Sequence, residues 1–364
     1  MEYKFEHIAT NSTAKKLPEE SDREHYIGLE HLDTNCFTIS RWGSDVTPVG
    51  EKLLMKKGDV LFGKRRAYQR KVGIAPFDGI FSAHGMVLRP KEDVIDKDFF
   101  PFFINSDQFM ERAIRISVGG LSPTINWKDL KEQVFELPSL EEQKVLACKL
   151  WAAYNLKESY KTLLAKTDEM VKSRFIEMFG NPVTNTKSWP TKALSEVAPE
   201  SPSTNKATGL VWVLNLDMVE SQSGRVIEKV YDNVENLNSV APFDDGNVLF
   251  SKLRPYLNKV VIPNGKGYAT TELVPLRPNT TFVRKEFLAC LLRSNDFVNY
   301  ADAIATGTKM PRMPMTALRD FKCIIPPADL QDEFIKVSQQ ADKSKFELKQ
   351  AIEKIDKVMR ALLQ

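Results

Sequence analysis

The feature of this 364-residue sequence that most constrains its fold is an internal repeat. Residues 58–72 (GDVLFGKRRAYQRKV) match residues 246–260 (GNVLFSKLRPYLNKV) at an offset of 188 positions (246 minus 58). The same offset, without a gap, relates two Leu-Arg-Pro segments, at 88–90 and 276–278, and continues to Gln143. Chance does not hold one register for so long, and a duplicated sequence folds as copies of one unit. The length also fits two domains of about 100–200 residues each.

Each copy begins with a mixed part. Short apolar runs at 60–62 and 248–250 follow a Gly-Asp or Gly-Asn turn and predict β-strands. Gly, Pro and Asn recur every few residues around them, which is typical of an irregular α+β domain. We therefore expect an α+β fold with two duplicated domains, residues 1–138 and 181–327.

Each copy ends with a long helix. The first is predicted over 140–179, because Ser139 and Glu142 form a capping box and Gly180 followed by Asn-Pro stops it. The second is predicted from Asp329, as its N-cap, to the C-terminus. With their caps, we assign these helices to segments 139–180 and 328–364.

Both helices carry apolar residues at alternating spacings of three and four, which predicts a seam against another helix. The simplest arrangement is that the two pair as an antiparallel coiled coil, separating the two domains in a pseudo-twofold arrangement. The alternative is that each helix packs only on its own domain. The seam residues of the second helix are Phe334, Val337, Ala341, Ser344, Leu348, Ala351, Ile355, Val358 and Leu362.

The distribution of charge indicates a nucleic-acid partner. A net charge of +3 excludes a strongly basic DNA-coating protein and an acidic DNA mimic. Residues 52–71, however, contain eight basic residues and one acid, and the second copy keeps part of this pattern. Cations interleaved with an aromatic residue suit contacts to phosphates and to guanine edges. The alternatives are a solvated strand edge, or a structural role in which the tyrosines pack and the cations cap loops. The candidate DNA-contacting residues are Lys64, Arg65, Arg66, Tyr68, Arg70, Lys71, Lys252, Arg254, Tyr256 and Lys259.

Catalytic and metal motifs are missing from the sequence. It has no phosphate-binding loop, no dinucleotide fingerprint and no serine-hydrolase elbow. Asn181-Pro182 lacks the flanking residues of an adenine-methyltransferase motif. Its four cysteines and four histidines have no zinc-site spacing. The N-terminus lacks a secretory signal, and no apolar run could span a bilayer. We therefore expect a cytoplasmic, non-catalytic protein with no cofactor, metal or membrane contact.

The repeat, the two Leu-Arg-Pro segments, the LPSLEEQ segment at 137–143 and the SRFIEMFGNP segment at 173–182 together resemble the specificity subunit of type I restriction-modification systems. That resemblance implies two target-recognition domains, each reading one half of a split double-stranded DNA sequence. It also implies spacer helices that dock two methyltransferase subunits, with restriction (translocase) subunits able to join. The second copy departs from the family pattern, because it has PPADLQ at 326–331 where the first copy has PSLEEQ at 138–143.

Two other functions stay open at this point. The chain could be a DNA methyltransferase or nuclease whose motif has diverged beyond recognition. It could also be a helical scaffold whose mixed domains bind proteins and not DNA.

Overall fold

The structure is a computed structural model that describes residues 1–203 and 208–364. Contacts divide the chain into two compact units. Unit 1 consists of Met1–Lys161 together with Lys349–Gln364, and unit 2 consists of Thr162–Leu348. The prediction of a mixed α+β fold is confirmed, because both units combine short strands with helices.

Unit 1 contains two four-stranded sheets and one two-stranded sheet. The first has the strand order β2-β9-β6-β7, the second β3-β5-β8-β4, and β1 pairs with β10. The strands are β1 (Glu2–Lys4), β2 (Ala9–Ser12), β3 (Lys15–Lys16), β4 (Tyr26–Ile27), β5 (Lys52–Met55), β6 (Val60–Phe62), β7 (Val72–Ile74), β8 (Gly79–Phe81), β9 (Met86–Pro90) and β10 (Val134–Glu136). The helices are α1 (Phe5–Ile8), α2 (Phe100–Ile104), α3 (Asp107–Arg115), α4 (Trp127–Leu130) and α5 (Leu140–Phe179), which extends into unit 2.

Unit 2 contains a three-stranded sheet of order β16-β15-β18, a four-stranded sheet of order β13-β12-β17-β14, and the pair β11-β19. The strands are β11 (Thr191–Ala193), β12 (Leu210–Leu214), β13 (Val230–Asn233), β14 (Val240–Phe243), β15 (Val248–Ser251), β16 (Val260–Val261), β17 (Gly267–Thr270), β18 (Leu273–Leu276) and β19 (Lys322–Ile324). The helices are α6 (Leu194–Val197), α7 (Lys285–Arg293), α8 (Asn295–Ala303), α9 (Met315–Asp320) and α10 (Ala328–Leu362), which extends into unit 1.

The repeat in the sequence is a repeat in the structure. Strands β9-β6-β7 of unit 1 and β18-β15-β16 of unit 2 have the same antiparallel order. The register is also the same, since Val60 pairs with Leu88 and Val248 pairs with Leu276, positions related by the 188-residue offset. Strand pairing depends on which residues face the core, so a shared register means that both units bury equivalent side chains.

Each core contains a cluster of aromatic rings. In unit 1, Phe5, Phe109 and Phe135 lie with ring centroids 5.3, 5.5 and 5.7 Å apart. In unit 2, Phe179 lies 4.9 Å from Phe287. Edge and offset contacts at these distances are favourable for aromatic pairs, in addition to the apolar area they bury.

Buried glutamines join the start of each long helix to its unit. Gln143 of α5 and Gln331 of α10 are each 1% exposed. The amide of Gln331 accepts from the N–H of Arg284 (2.9 Å) and donates to the carbonyls of Phe282 (3.0 Å) and Pro326 (2.8 Å). Gln143 makes the same three bonds in unit 1, to residues at the corresponding positions of the repeat. The last matching pair of the sequence repeat, Gln143 and Gln331, therefore makes the same structural contact in both units.

The helix boundaries agree closely with the sequence prediction. The capping box of α5 is present, because the backbone N–H of Ser139 donates to the Glu142 carboxylate at 2.9 Å and the Glu142 N–H donates to the Ser139 hydroxyl at 3.3 Å. The N-cap of α10 was predicted two residues late. The helix begins at Ala328, so Asp329 lies in its first turn and not at the N-cap. There its negative charge still interacts favourably with the positive end of the helix dipole.

The two long helices contact each other within both units. In unit 1, Lys157 of α5 pairs with Asp356 of α10 at 2.9 Å. In unit 2, Asp168 of α5 pairs with Lys345 of α10 at 2.8 Å. Nearby, Arg174 of α5 pairs with Glu333 of α10 at 3.0 Å, so the numbering rises along one helix as it falls along the other. The predicted antiparallel pairing is confirmed in the part of each helix that belongs to each unit, and the alternative that each helix packs only on its own domain is wrong.

Candidate nucleic-acid interface

The repeated basic motif forms an equivalent loop in each unit, connecting β6 to β7 and β15 to β16. We call residues 63–71 motif loop 1 and residues 252–259 motif loop 2. In each, an arginine has a left-handed backbone, Arg66 with φ 55° and Arg254 with φ 50°. A second left-handed residue follows after a short 3-10 turn, Arg70 with φ 49° and Asn258 with φ 50°. Such conformations cost roughly 1 kcal/mol or more for residues other than glycine and persist where the surrounding contacts enforce them.

A second loop supports each motif loop. We call residues 118–124 tip loop 1 and residues 306–312 tip loop 2. Each closes on itself through two backbone hydrogen bonds, at 2.9 and 3.0 Å between Val118 and Thr124 in the first. Each is also joined to its motif loop, because the N–H of Arg66 donates to Pro123 (2.8 Å) and the N–H of Arg254 donates to Pro311 (2.7 Å). The motif loop and the tip loop therefore form one surface in each unit.

Motif loop 1 presents two arginines and a tyrosine to solvent. Arg65 and Arg66 are exposed, and both guanidinium groups donate to the Ser122 hydroxyl, at 3.1 and 3.2 Å. Tyr68 is 55% exposed. Among the ion pairs formed by residues 1–203 and 208–364, none involves either arginine. A neutral hydroxyl leaves their charge uncompensated, so both can bind an anionic ligand.

Two of the other three predicted cations of unit 1 are bonded within the fold. Arg70 pairs with the Asp107 carboxylate, and the ammonium of Lys71 donates to the backbone carbonyl of Leu29 at 2.6 Å. Lys64 is partly buried, and its pKa is lowered by burial and by the neighbouring positive charge of Lys15. Arg70 and Lys71 therefore hold the loop in place, and Lys64 is partly withdrawn from solvent.

Motif loop 2 also has an arginine and a tyrosine that are at least partly exposed, and a lysine that is bonded within the fold. Arg254 donates to the carbonyl of Lys309 at 3.3 Å, whereas its buried Nε has no hydrogen-bond partner. Tyr256 is 44% exposed. Lys259 donates to the carbonyl of Leu216 at 2.6 Å, the bond that Lys71 makes in unit 1. Burial lowers the pKa of Lys259, against the opposing effect of a nearby aspartate. Lys252, the first residue of motif loop 2, is partly exposed.

Each group of predicted residues therefore lies together on one loop in its own unit. The tip loops were not among the predicted sites, although the offset itself relates Gly119 to Gly307 and Pro123 to Pro311. The arginines of the two Leu-Arg-Pro segments lie outside the motif loops, and each is hydrogen-bonded to an aspartate of its own unit. Arg89 forms two hydrogen bonds to Asp59, at 2.7 and 2.8 Å, before β6 begins.

Within the described ranges, no cluster of three or more His, Cys, Asp or Glu side chains is placed to hold a metal ion. Across the same residues, no helix combines the length and apolarity needed to cross a bilayer.

The N-terminal part of the chain is similar to known proteins in sequence. Residues 6–166 match the family model of the type I restriction modification DNA specificity domain. The chain is 24% identical over 125 residues to the type I restriction enzyme EcoDI specificity subunit of Escherichia coli. That match covers 33% of this chain and 28% of the relative, so the chain spans little more than a quarter of that relative's length.

Solved structures match over the whole chain. A chain from a study of complex assembly and conformational transition of the type I R-M system has a TM-score of 0.56 at 16% identity, covering 100% of this chain and 96% of that one. The type I restriction-modification system S subunit from M. genitalium has a TM-score of 0.57 at 14% identity, covering 100% and 94%. The resemblance noted in the sequence is confirmed as a likeness: residues 6–166 are similar to the type I restriction modification DNA specificity domain, and the fold of the whole chain is similar to that of a type I restriction-modification S subunit.

Proposed function

We propose that this chain is the non-catalytic DNA-recognition subunit of a type I restriction-modification complex. Each unit binds one half of a bipartite duplex target through its motif loop and tip loop. The observation that carries the proposal is that the same pair of hydrogen-bonded loops occurs twice, each with a motif arginine that forms no ion pair among the described residues. Duplicated recognition surfaces on one chain are suited to two half-sites.

Within this proposal, the ten predicted residues have two roles. Arg65, Arg66 and Arg254 contact base edges or phosphates, since guanidinium groups bind guanine and phosphate through paired donors. Tyr68 and Tyr256 lie beside them and contact the sugar-phosphate backbone. The remaining positions, Lys64, Arg70, Lys71, Lys252 and Lys259, position the loops and supply positive potential.

The long helices are proposed to set the distance between half-sites and to dock two methyltransferase subunits. Helix α5 has 40 residues, about 60 Å at 1.5 Å per residue. Two readers on one face of a duplex bind sites separated by whole helical turns of about 34 Å. The proposed division is residues 1–138 and 181–327 for recognition and 139–180 and 328–364 for spacing. Restriction subunits can join the same assembly, which would act in the bacterial cytoplasm.

Selection from a random duplex library tests the proposal. The full chain, assembled with its methyltransferase subunits, should enrich a split motif. Arg66→Ala should weaken one half of that motif and Arg254→Ala the other, each by about 1–3 kcal/mol if the arginine contacts a base. Lys97→Ala removes an exposed positive charge outside these loops and serves as the control. A continuous motif, or equal weakening of both halves by one variant, would contradict the assignment of one half-site to each unit.

The two other functions differ in simple measurements. A scaffold protein that does not bind DNA would show no steep salt dependence, whereas phosphate contacts predict affinity falling sharply between about 50 and 200 mM salt. A diverged methyltransferase would transfer label from S-adenosylmethionine to DNA by itself. We expect no transfer by the isolated chain.

A further inference from the structure

The two tip loops share one backbone conformation and differ in the side chains they expose. Gly119 and Gly307 both have a left-handed backbone, with φ 111° and 105°. The closing hydrogen bonds and the bond to the motif loop recur at the same positions of the repeat. The three residues at the tip, however, are Gly-Leu-Ser in unit 1 and Thr-Lys-Met in unit 2. The scaffold has been kept while the presented chemistry has changed.

In unit 1 the tip is apolar. Leu121 is 95% exposed, so almost none of its side chain touches the protein. The next residue, Ser122, accepts hydrogen bonds from both Arg65 and Arg66. The apolar side chain therefore lies next to two cations that would approach a DNA groove. Beside it, a Cβ added at Gly120 would meet nothing within 4 Å, so the tip is open on that side.

In unit 2 the same position is a cation. Lys309 replaces the leucine at the 188-residue offset, and its carbonyl accepts from the Arg254 guanidinium at 3.3 Å. Its neighbour Met310 is 46% exposed. An apolar side chain and a cation favour different base edges in the major groove. The thymine methyl group favours an apolar contact, and the guanine O6 and N7 acceptors favour a lysine or arginine.

We propose that the tip residues are specificity determinants. Leu121 contacts a thymine methyl group in the half-site of unit 1, and Lys309 contacts guanine in the half-site of unit 2. This inference rests on the proposed function and explains how a duplicated chain would read two different half-sites with one scaffold.

The test compares libraries of random duplex DNA made with thymine or with uracil, which lacks only the 5-methyl group. The full chain with its methyltransferase subunits should prefer thymine over uracil roughly fourfold at one position, the effect of burying one methyl group. Leu121→Ala should abolish that preference and leave the other half-site unchanged. Lys309→Ala should weaken a guanine position of the other half-site. Val49→Ala, at a 91% exposed apolar residue outside the loops, is the matched control and should change neither.

The possible outcomes are distinguishable. A split motif that is enriched equally with uracil, or that Leu121→Ala leaves unchanged, overturns this inference alone. No enrichment by the wild-type complex overturns the proposed function and this inference with it. Circular dichroism of each variant confirms folding, which these exposed positions should not affect.

Discussion

Replacing Gln331 by methionine removes the contact that joins α10 to unit 2 while nearly preserving side-chain length and volume. The amide makes three hydrogen bonds, one from the N–H of Arg284 and one to each of the carbonyls of Phe282 and Pro326. A hydrogen bond of this kind contributes about 1 kcal/mol net, and more where its partner is left unsatisfied. We therefore expect Gln331→Met to lower the free energy of unfolding by about 3 kcal/mol.

Scanning calorimetry measures this effect. For a unit of this size, 1 kcal/mol corresponds to about 2–4 °C in the unfolding midpoint, so the expected decrease is about 6–12 °C. Gln340→Met, at an exposed glutamine of the same helix, is the control and should shift the midpoint by less than about 1 °C. Gln143→Met should reproduce the loss through unit 1. A shift below about 2 °C for Gln331→Met would refute the reasoning, because it would mean that the buried amide contributes no net stability.

Three further outcomes are expected. Asp356→Ala leaves Lys157, whose side chain is 7% exposed, without a carboxylate partner and should lower the free energy of unfolding in urea by about 1–3 kcal/mol. Asp168→Ala should lower it by less than about 1 kcal/mol, because Lys345 keeps its ion pair with Asp342. Burial opposes ionisation of Asp244, but hydrogen bonds from Gly246 and Arg277 outweigh burial and lower the pKa of this carboxyl group. The stability that the ionised carboxylate contributes is therefore present above about pH 4 and is lost as the pH falls. Asp244→Asn should be less stable than wild type by about 1 kcal/mol at pH 7, and by progressively less in urea titrations toward pH 3. Gly119→Ala forces a side chain onto a φ of 111° and should reduce affinity for one half-site about fivefold in DNA-binding titrations, whereas Gly120→Ala, which meets open space, should not.

The helices and the repeat could be predicted because their signals are local or periodic. The capping box at Ser139 and Glu142 involves residues three apart, and the offset of 188 is visible without any structure. The N-cap of α10 was predicted two residues late, since cap residues identify a boundary only approximately.

The roles of the cations could not be predicted because their partners are distant in sequence. Lys71 donates to Leu29, 42 residues earlier, and Arg70 pairs with Asp107, 37 residues later. In the sequence these residues are indistinguishable from Arg65, which stays exposed. The tip loops were overlooked because glycine and proline mark a turn without showing what that turn lies beside. Their repetition at the same offset is the signal that could have found them.

The composition of unit 1 has a consequence for biosynthesis. Residues 349–364 belong to this unit, and Met359 and Leu362 of α10, and Leu363 directly after it, pack against its core. A ribosome adds these residues only after all of unit 2 has been synthesised, so until then the core of the nascent unit 1 lacks these apolar contacts. Unit 2 is one continuous segment and can close earlier. Translation that stops near residue 348 would therefore leave unit 1, the part of the chain made first, without this packing.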